Sequence, residues 1–372
     1  MAAADWFRTE TRELPAGTLV VKPGVRGFPD LPPGTETLLR LGPGGDSPLD
    51  ASGSAGVAAL TFRQHGASQV ALLEASAAAL NCARLTFAGT DVTVGAGLPW
   101  DDWPAVSDTV VLHPPADRGT ARVEQEIRSA AAALPAGGRL LLLGHKDAGG
   151  KRYEKLAAKL FRSSEVIRRD RGYRLLECID PLPDITVPPP QLEFSAAGFS
   201  LQALKGSFAA GKLDPGTAQL LHALGAPDWL SGRRVLDPGC GYGLLGLTAA
   251  AAGAQVTGFD DDLAAVRSAA ANAREHGLAD AFRVLHSDLD SALEPAERFD
   301  TVLMNPPFHV GRGVRLELPR EFIRTAWRRL ESGGELWLVA NRQLPYEKLL
   351  ADWKKSELLR DEAGFKVLRA VR

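Results

Sequence analysis

At 372 residues, with 45% hydrophobic and 24% charged side chains, the chain is too long for one typical core and too apolar for a disordered one, so two or three globular domains are expected. A net charge of −2 gives no global attraction to nucleic acid, and no apolar run approaches the ~18 residues that would span a bilayer. Cys82, Cys178 and Cys240 are too widely spaced for a disulfide framework or a zinc site, the seven histidines are scattered, and Met1 to Glu13 is charged throughout, unlike a secretory signal. The expectation is therefore a chain without metal or membrane anchor, in a reducing cytoplasm.

Read from the N-terminus, the chain repeats itself. Leu49-Asp-Ala-Ser-Gly-Ser-Ala-Gly56 sits where Leu236-Asp-Pro-Gly-Cys-Gly-Tyr-Gly243 sits in the second half, and Gly66-Ala-Ser-Gln-Val70, leading to Glu74, parallels Gly253-Ala-Gln-Val256, leading to Asp260. Asp108-Thr-Val-Val-Leu-His-Pro-Pro115 echoes Asp300-Thr-Val-Leu-Met-Asn-Pro-Pro307, and Leu134-Pro-Ala-Gly-Gly-Arg-Leu140 echoes Leu330-Glu-Ser-Gly-Gly-Glu-Leu336. Tyr153-Glu-Lys-Leu156 recurs as Tyr346-Glu-Lys-Leu349, and Ser164-Glu-Val-Ile-Arg168 as Ser356-Glu-Leu-Leu-Arg360. Matches in the same order over most of both halves identify a tandem duplication of one α/β domain. Between the copies, Pro181-Leu-Pro-Asp-Ile-Thr-Val-Pro-Pro-Pro190 is too rich in proline for a helix and reads as an extended connector. The expected organisation is a first domain over 1–180, a linker over 181–195 and a second domain over 196–372. Basic clusters at Lys146, Lys151 and Arg152, at Arg168, Arg169 and Arg171, and at Arg312, Arg315 and Arg320 are solvated surface or local nucleic-acid contacts.

In the second half, Arg233 to Asp237 reads as a short buried strand, and the glycines after it open an Ala/Leu-rich helix to about Ala252. Gln255 to Asp260 is the next strand and Leu263 to Glu275 a helix. Phe282–His286, Phe299–Met304 and Glu335–Ala340 read as further strands, with a helix from about Pro319 to Leu330 before the last of them. Phe365 to Val371 alternates and reads as an antiparallel strand in the edge region. Strands alternating with helices predict, in each copy, a mostly parallel, doubly wound, Rossmann-like sheet whose ligands lie beyond the strand C-termini.

Asp237-Pro-Gly-Cys-Gly-Tyr-Gly243 follows a strand and starts a helix, where glycines allow a tight turn and close approach of a ligand. Asp237 precedes the glycines, where a cationic amino acid moiety could be held. Asp260 ends the next strand, placed for two ribose hydroxyls, and Asp288 follows the third, placed for an adenine amino group. Cys240 reads as a small filler within the loop. After the fourth strand comes Asn305-Pro306-Pro307-Phe308. Its prolines remove two backbone donors and fix φ, so the Asn305 side-chain oxygen and the Pro306 carbonyl can act as paired acceptors. Such a pair suits an amino group conjugated to a ring or carbonyl, and Phe308 offers a flat face for a planar substrate.

The acid followed by G-x-G-x-G resembles the class I S-adenosylmethionine-dependent methyltransferases over about Phe208 to Arg372. The resemblance implies S-adenosylmethionine as cofactor, with Asp237, Gly239 and Gly241 around its methionine part, Asp260 and Asp261 at the ribose, and Asp288 and Leu289 at the adenine. N-P-P-[F/Y] in this context marks the amino methyltransferases, whose targets include adenine N6, guanine N2 and the release-factor glutamine amide. With Phe208-Ala-Ala-Gly-Lys-Leu-Asp-Pro-Gly-Thr217 upstream, Gly333-Gly-Glu-Leu-Trp-Leu-Val-Ala-Asn341 downstream and the duplicated first half, the chain resembles the bacterial ribosomal RNA guanine-N2 methyltransferases, most closely the small subunit methyltransferase C family. That implies methylation of a 16S ribosomal RNA guanine within the small subunit by a monomer, with Asn305, Pro306 and Phe308 catalytic. It further implies that Lys212, Asp214, Gly216 and Thr217 cap the cofactor pocket, and that Phe208, Pro307, Phe308 and His309 face the substrate. His309 reads equally as a turn residue. A 23S rRNA guanine, an adenine or a release-factor glutamine stays open as the target, as does an RNA-binding assembly protein with a vestigial site. In the first half, Ser52 and Ser54 replace the glycines, His113 replaces Asn305 and Ala116 replaces Phe308, so that copy is expected to be non-catalytic.

Overall fold

A computed structural model describes residues 5–101, 107–307 and 317–372. The chain divides into two compact units, Met1–Pro190 and Gln191–Arg372. Each contains a seven-stranded sheet, and the two sheets have one topology. In the second unit the order across the sheet is Phe282–His286, Gln255–Asp260, Arg234–Pro238, Phe299–Met304, Leu330–Asn341, Phe365–Val371, Lys355–Glu362. In the first it is Thr93–Ala96, Ala71–Glu74, Pro48–Ala51, Thr109–Leu112, Arg139–His145, Tyr173–Pro181, Phe161–Asp170. The first five strands of each order are mutually parallel, and the last two pair antiparallel. The duplication read from six short sequence matches is thus a duplication of the whole sheet.

The central strands have no alternation because helices cover both faces. Val235, Leu236, Val302, Leu303 and Met304 are wholly buried. Arg234–Pro238 is the strand at which the order reverses, with Gln255–Asp260 on one side and Phe299–Met304 on the other. In open α/β sheets the loops leaving such neighbours diverge at the strand C-terminal ends, and ligands bind there. The glycine loop leaves the first of them and Asn305 the third, which is how residues far apart in sequence come to one place.

Phe365–Val371 is antiparallel and in the edge region, as expected, and the strand outside it is Lys355–Glu362, whose mostly exposed residues hide a strand from any periodicity reading. One sequence expectation is corrected. The stretch taken as linker to residue 195 already contains structure: Gln191–Ala196 pairs with Phe199–Leu204 in a hairpin. The prolines stop at Pro190, and Gln191-Leu-Glu-Phe-Ser-Ala196 alternates exposed and half-buried side chains. This hairpin packs on the helix Leu263–Glu275. Asn272 accepts from Gln202 N (2.9 Å) and donates to Gln202 O (2.9 Å), while Ser268 Oγ accepts from Leu204 N (2.9 Å). Ser268 and Asn272 lie four residues apart on one buried helical face, where an apolar residue would leave the hairpin's backbone groups unsatisfied.

Candidate active site

The glycine loop is held by its neighbour strand. Gly239 N and Cys240 N both donate to Phe259 O, at 2.8 and 3.0 Å. Gly239 and Gly241 have φ of +70° and +57°, a region that L side chains enter at a cost of ~1–2 kcal/mol. They differ in surroundings. A Cβ on Gly239 would lie 3.0 Å from the Phe322 ring, whereas one on Gly241 would meet nothing within 4 Å. Gly241 therefore faces open space, a cradle that any side chain would fill.

Asp237, Asp260, Asp261 and Asp288, the acids expected around the bound cofactor, are placed differently from one another. Asp237 is buried and accepts Gly246 N at 2.9 Å through Oδ2, tying the strand to the start of the following helix. Burial, and secondarily the neighbouring Asp260 carboxylate, raise its pKa to about 7, against the lowering effect of the Gly246 bond. Asp260 is half-buried, its Oδ2 accepting Gly241 N (3.0 Å) and its Oδ1 accepting Asp262 N (2.9 Å). Asp288 is buried, and Leu289 beside it is also buried with φ of +48°. Asp261 is half-buried and its carbonyl meets His286 Nε2 at 2.9 Å. Asp262, which sequence reasoning passed over, caps the helix Leu263–Glu275 by accepting Ala264 N at 3.0 Å. Cys240 is buried, and burial followed by Asp237 and Asp260 pushes its thiol well up, so it stays protonated and fills space as expected.

Asn305 leaves the end of Phe299–Met304 half-buried, ahead of buried Pro306 and half-buried Pro307. Its Nδ2 donates to Asp214 Oδ2 and to Thr217 Oγ1, both at 2.9 Å. Asp214 is also the cap of the helix Pro215–Leu224, the same Oδ2 accepting Thr217 N at 2.8 Å. Both amide hydrogens of Asn305 are thereby used, the amide plane is set, and Oδ1 remains as its acceptor. Asp214 and Thr217, expected at the cofactor pocket, both hold the Asn305 amide. Gly216 between them has no room for a side chain, since a Cβ would lie 3.0 Å from Asp214 Oδ2 and 3.1 Å from Phe365. Lys212 has an exposed side chain, but its carbonyl accepts Tyr242 Oη at 3.2 Å, joining the loop before the cap helix to the glycine loop. Tyr242 gave no sequence signal, being a variable position of the glycine motif. Phe208 is 49% exposed. Phe308 and His309 lie outside the described residues, as do Arg312 and Arg315. No group of three or more His, Cys, Asp or Glu side chains gathers as a metal site among the described residues, and no helix among them is long and apolar enough to cross a membrane.

The same framework in the first unit is closed on itself. Asp50 Oδ2 accepts Ala59 N (2.9 Å), as Asp237 accepts Gly246 N, but its Oδ1 is taken by Ser52 N (3.0 Å) and Ser52 Oγ (2.6 Å). Ser52 and Ser54 are buried with their hydroxyls 3.0 Å apart. Arg26 Nη1 donates to Ser52 O at 3.2 Å and to His113 Nδ1 at 2.9 Å. Burial, then the Arg26 charge, holds His113 well below the usual histidine range, so its ring is the neutral partner of a guanidinium. A cation from the protein's own chain therefore sits between the residues that correspond to the glycine loop and to Asn305.

A family model for the methyltransferase small domain matches residues 16–177 and again 198–369. The chain belongs to the methyltransferase small-domain family. The two matches fall one on each structural unit, and together they take in the glycine loop, Asn305 and the cap helix. Among relatives, ribosomal RNA small subunit methyltransferase C of Chromohalobacter salexigens is 36% identical over 246 residues, covering 65% of this chain and 72% of that one. The protein of the same name from Hamiltonella defensa is 32% identical over 280 residues, covering 74% and 80%. Among solved structures, a T. thermophilus 16S rRNA N2 methyltransferase in complex with AdoMet and guanosine aligns with a TM-score of 0.89 and 37% identity, covering 100% of both chains. Two methyltransferase small domains in one chain is thus an arrangement shared with a solved relative along its whole length.

Proposed function

We propose that this methyltransferase uses S-adenosylmethionine to methylate the exocyclic N2 of a guanine in 16S ribosomal RNA. The observation that carries this reading is the fixed Asn305 amide beside an open glycine cradle, in a chain similar end to end to an enzyme solved with AdoMet and guanosine. The second unit fits the cofactor: Gly241 leaves room for it, and Asp237 and Asp260 offer adjacent carboxyl groups to its cationic amino acid part and to its ribose hydroxyls. Asp288 and Leu289 stand at the adenine side. When bound, the cofactor supplies an electrophilic methyl group on a sulfonium.

The chain's own part is positioning. An aromatic amine has a delocalised lone pair and is a weak nucleophile. Asn305 Oδ1 and the Pro306 carbonyl accept its two hydrogens and aim the lone pair, which favours an in-line displacement by orientation more than by base strength. Asp214 and Thr217 act through Asn305 as positioning residues. Phe308 and Pro307 bound the planar base, with Phe208 and His309 on its approach. A guanine within folded RNA cannot present this edge while stacked, so it enters unstacked or from a single-stranded loop. The enzyme acts as a monomer in the cytoplasm, with the small ribosomal subunit as partner and no metal.

The deciding experiment is mass mapping of methylated nucleosides after incubation with the cofactor and each ribosomal subunit, with DNA and a release factor as further arms. N2-methylguanosine in 16S rRNA is the expected product; label in 23S rRNA, in adenine or in protein would overturn the assignment. A second measurement concerns the first unit, whose cleft Arg26 and the two serines fill. Calorimetric titration of the full chain is expected to give one cofactor per chain, and two would show that the first cleft opens.

A further inference from the structure

The first unit carries a cationic groove that the methyl-transfer site does not use. Arg128, Lys151, Arg152, Lys155 and Lys159 line a depression of ≈ 500 Å³ together with Leu156. Arg128 lies on the helix Thr120–Ala133, the next three cations on the helix Gly150–Ala157, and Lys159 just beyond its end. Lys151, Lys155 and Lys159 recur every fourth residue, which makes a stripe with a step of about 6 Å along a helix axis, comparable with the step between phosphates along a nucleic-acid strand.

Ordinary surface chemistry does not account for this stripe. The four cations from Lys151 onward are exposed, and none of the five is ion-paired among the described residues. The one polar partner is neutral, Arg152 Nη1 donating to Thr120 Oγ1 at 3.2 Å. The acid of the same helix, Glu154, is turned away onto Arg174 Nε at 2.6 Å. Lys151 and Arg152 also occupy the helix's first turn, where the macrodipole disfavours positive charge. The arrangement therefore works against local stability. Nor does the fold require most of it: the second unit keeps the buried tyrosine (Tyr346 for Tyr153) and one lysine (Lys348 for Lys155), but Leu344 and Pro345 stand for Lys151 and Arg152, and Asp352 for Lys159.

We infer that this groove binds the phosphate backbone of the ribosomal RNA substrate, giving the first unit a docking role in place of catalysis. The inference rests on the proposed RNA substrate and adds the surface that grips it. Unpaired exposed lysines gain more from a polyanion, which releases its condensed counterions on binding, than from any single small anion.

The test compares the full chain with a Lys151→Ala, Lys155→Ala, Lys159→Ala triple variant, using a 16S rRNA transcript as probe between 50 and ~200 mM salt. The variant is expected to bind about 10- to 100-fold more weakly at intermediate salt, with a log–log salt slope shallower by about 2–3. Cofactor affinity should stay at the wild-type value, the thermal midpoint should not fall, and the corresponding triple Lys→Arg variant should bind as wild type. Wild-type affinity and slope in the alanine variant would overturn the inference and leave the guanine assignment intact, since that assignment is read from the nucleoside map. Unchanged binding of the naked transcript with lost activity on whole subunits would also overturn it, because the groove would then serve an acidic protein surface.

Discussion

Asn305→Ala is expected to lower the rate constant for methyl transfer by about 10²–10³-fold, the loss that follows removal of one preorganised hydrogen-bonding group at a reacting centre. Both amide hydrogens of Asn305 are spent on Asp214 and Thr217, so its remaining oxygen is held in place before any substrate arrives. An acceptor that only aims the attacking nitrogen strengthens in the transition state. The loss should therefore fall on kcat and kcat/KM alike, with KM for RNA little changed. Stability should change little, because Asp214 keeps Thr217 N as a partner at 2.8 Å. Thr217→Ala removes one of the two restraints on the amide while leaving the acceptor, and a smaller loss of kcat is expected. Single-turnover assays on 16S rRNA check both variants. Undiminished transfer by Asn305→Ala would remove the acceptor pair from the chemistry.

The fold was legible where burial on both sides leaves an unbroken apolar run or a clear helical stripe. Gln255–Asp260 and Phe299–Met304 are largely buried in this way, and the helix Leu263–Glu275 shows the helical spacing. It was illegible at the antiparallel rim, although Phe282–His286 at the opposite rim was read. Lys355-Ser-Glu-Leu-Leu-Arg-Asp-Glu362 is a strand because Phe365–Val371 offers it a ladder, a tertiary cause that leaves no period in its own residues. The match between Ser164–Arg168 and Ser356–Arg360 was the only sequence trace of it, and in the first unit that segment is the corresponding edge strand.

The candidate site divides in the same way. Asp237, Asp260 and Asn305 announce themselves because each follows a strand and precedes a turn of unusual composition. Their partners do not. Thr217 reaches Asn305 only because the cap helix folds over the sheet, and Tyr242 meets the Lys212 carbonyl across two loops. Arg26 is the plainest case. Nothing in Val25-Arg-Gly-Phe28 distinguishes this arginine from a surface one, yet it is half-buried against Ser52 and His113 and closes the first cleft. The serines and His113 made the loss of chemistry readable; what fills the space afterwards depends on a loop whose path the sequence does not disclose.

Asp237→Asn is expected to remove a pH dependence that the wild-type chain carries into the neutral range. Asp237 has a folded pKa of about 7 against a usual 3.8, chiefly from burial. A group raised in this way holds its proton in the folded state while the unfolded chain has already lost it. Its contribution is therefore fully present below the unfolded pKa and is lost as pH rises through the folded one. In the cofactor-free protein, stability should fall between pH 4 and 7 by up to about 1.4 kcal/mol per pH unit from this group. The asparagine variant can still accept Gly246 N and should lack that slope. Denaturant titrations of both proteins at pH 5, 6 and 7 measure the difference directly. A cationic ligand beside the carboxyl favours its ionised form, so cofactor binding should release a proton and tighten as pH rises toward 7, and both effects should vanish in Asp237→Asn. Equal pH profiles for the two proteins, in stability and in cofactor affinity, would place the titrating group elsewhere. The same substitution at Asp50 should move neither cofactor measurement, because that carboxyl already has Ser52 and Ala59 as partners and an arginine in the cleft beside it.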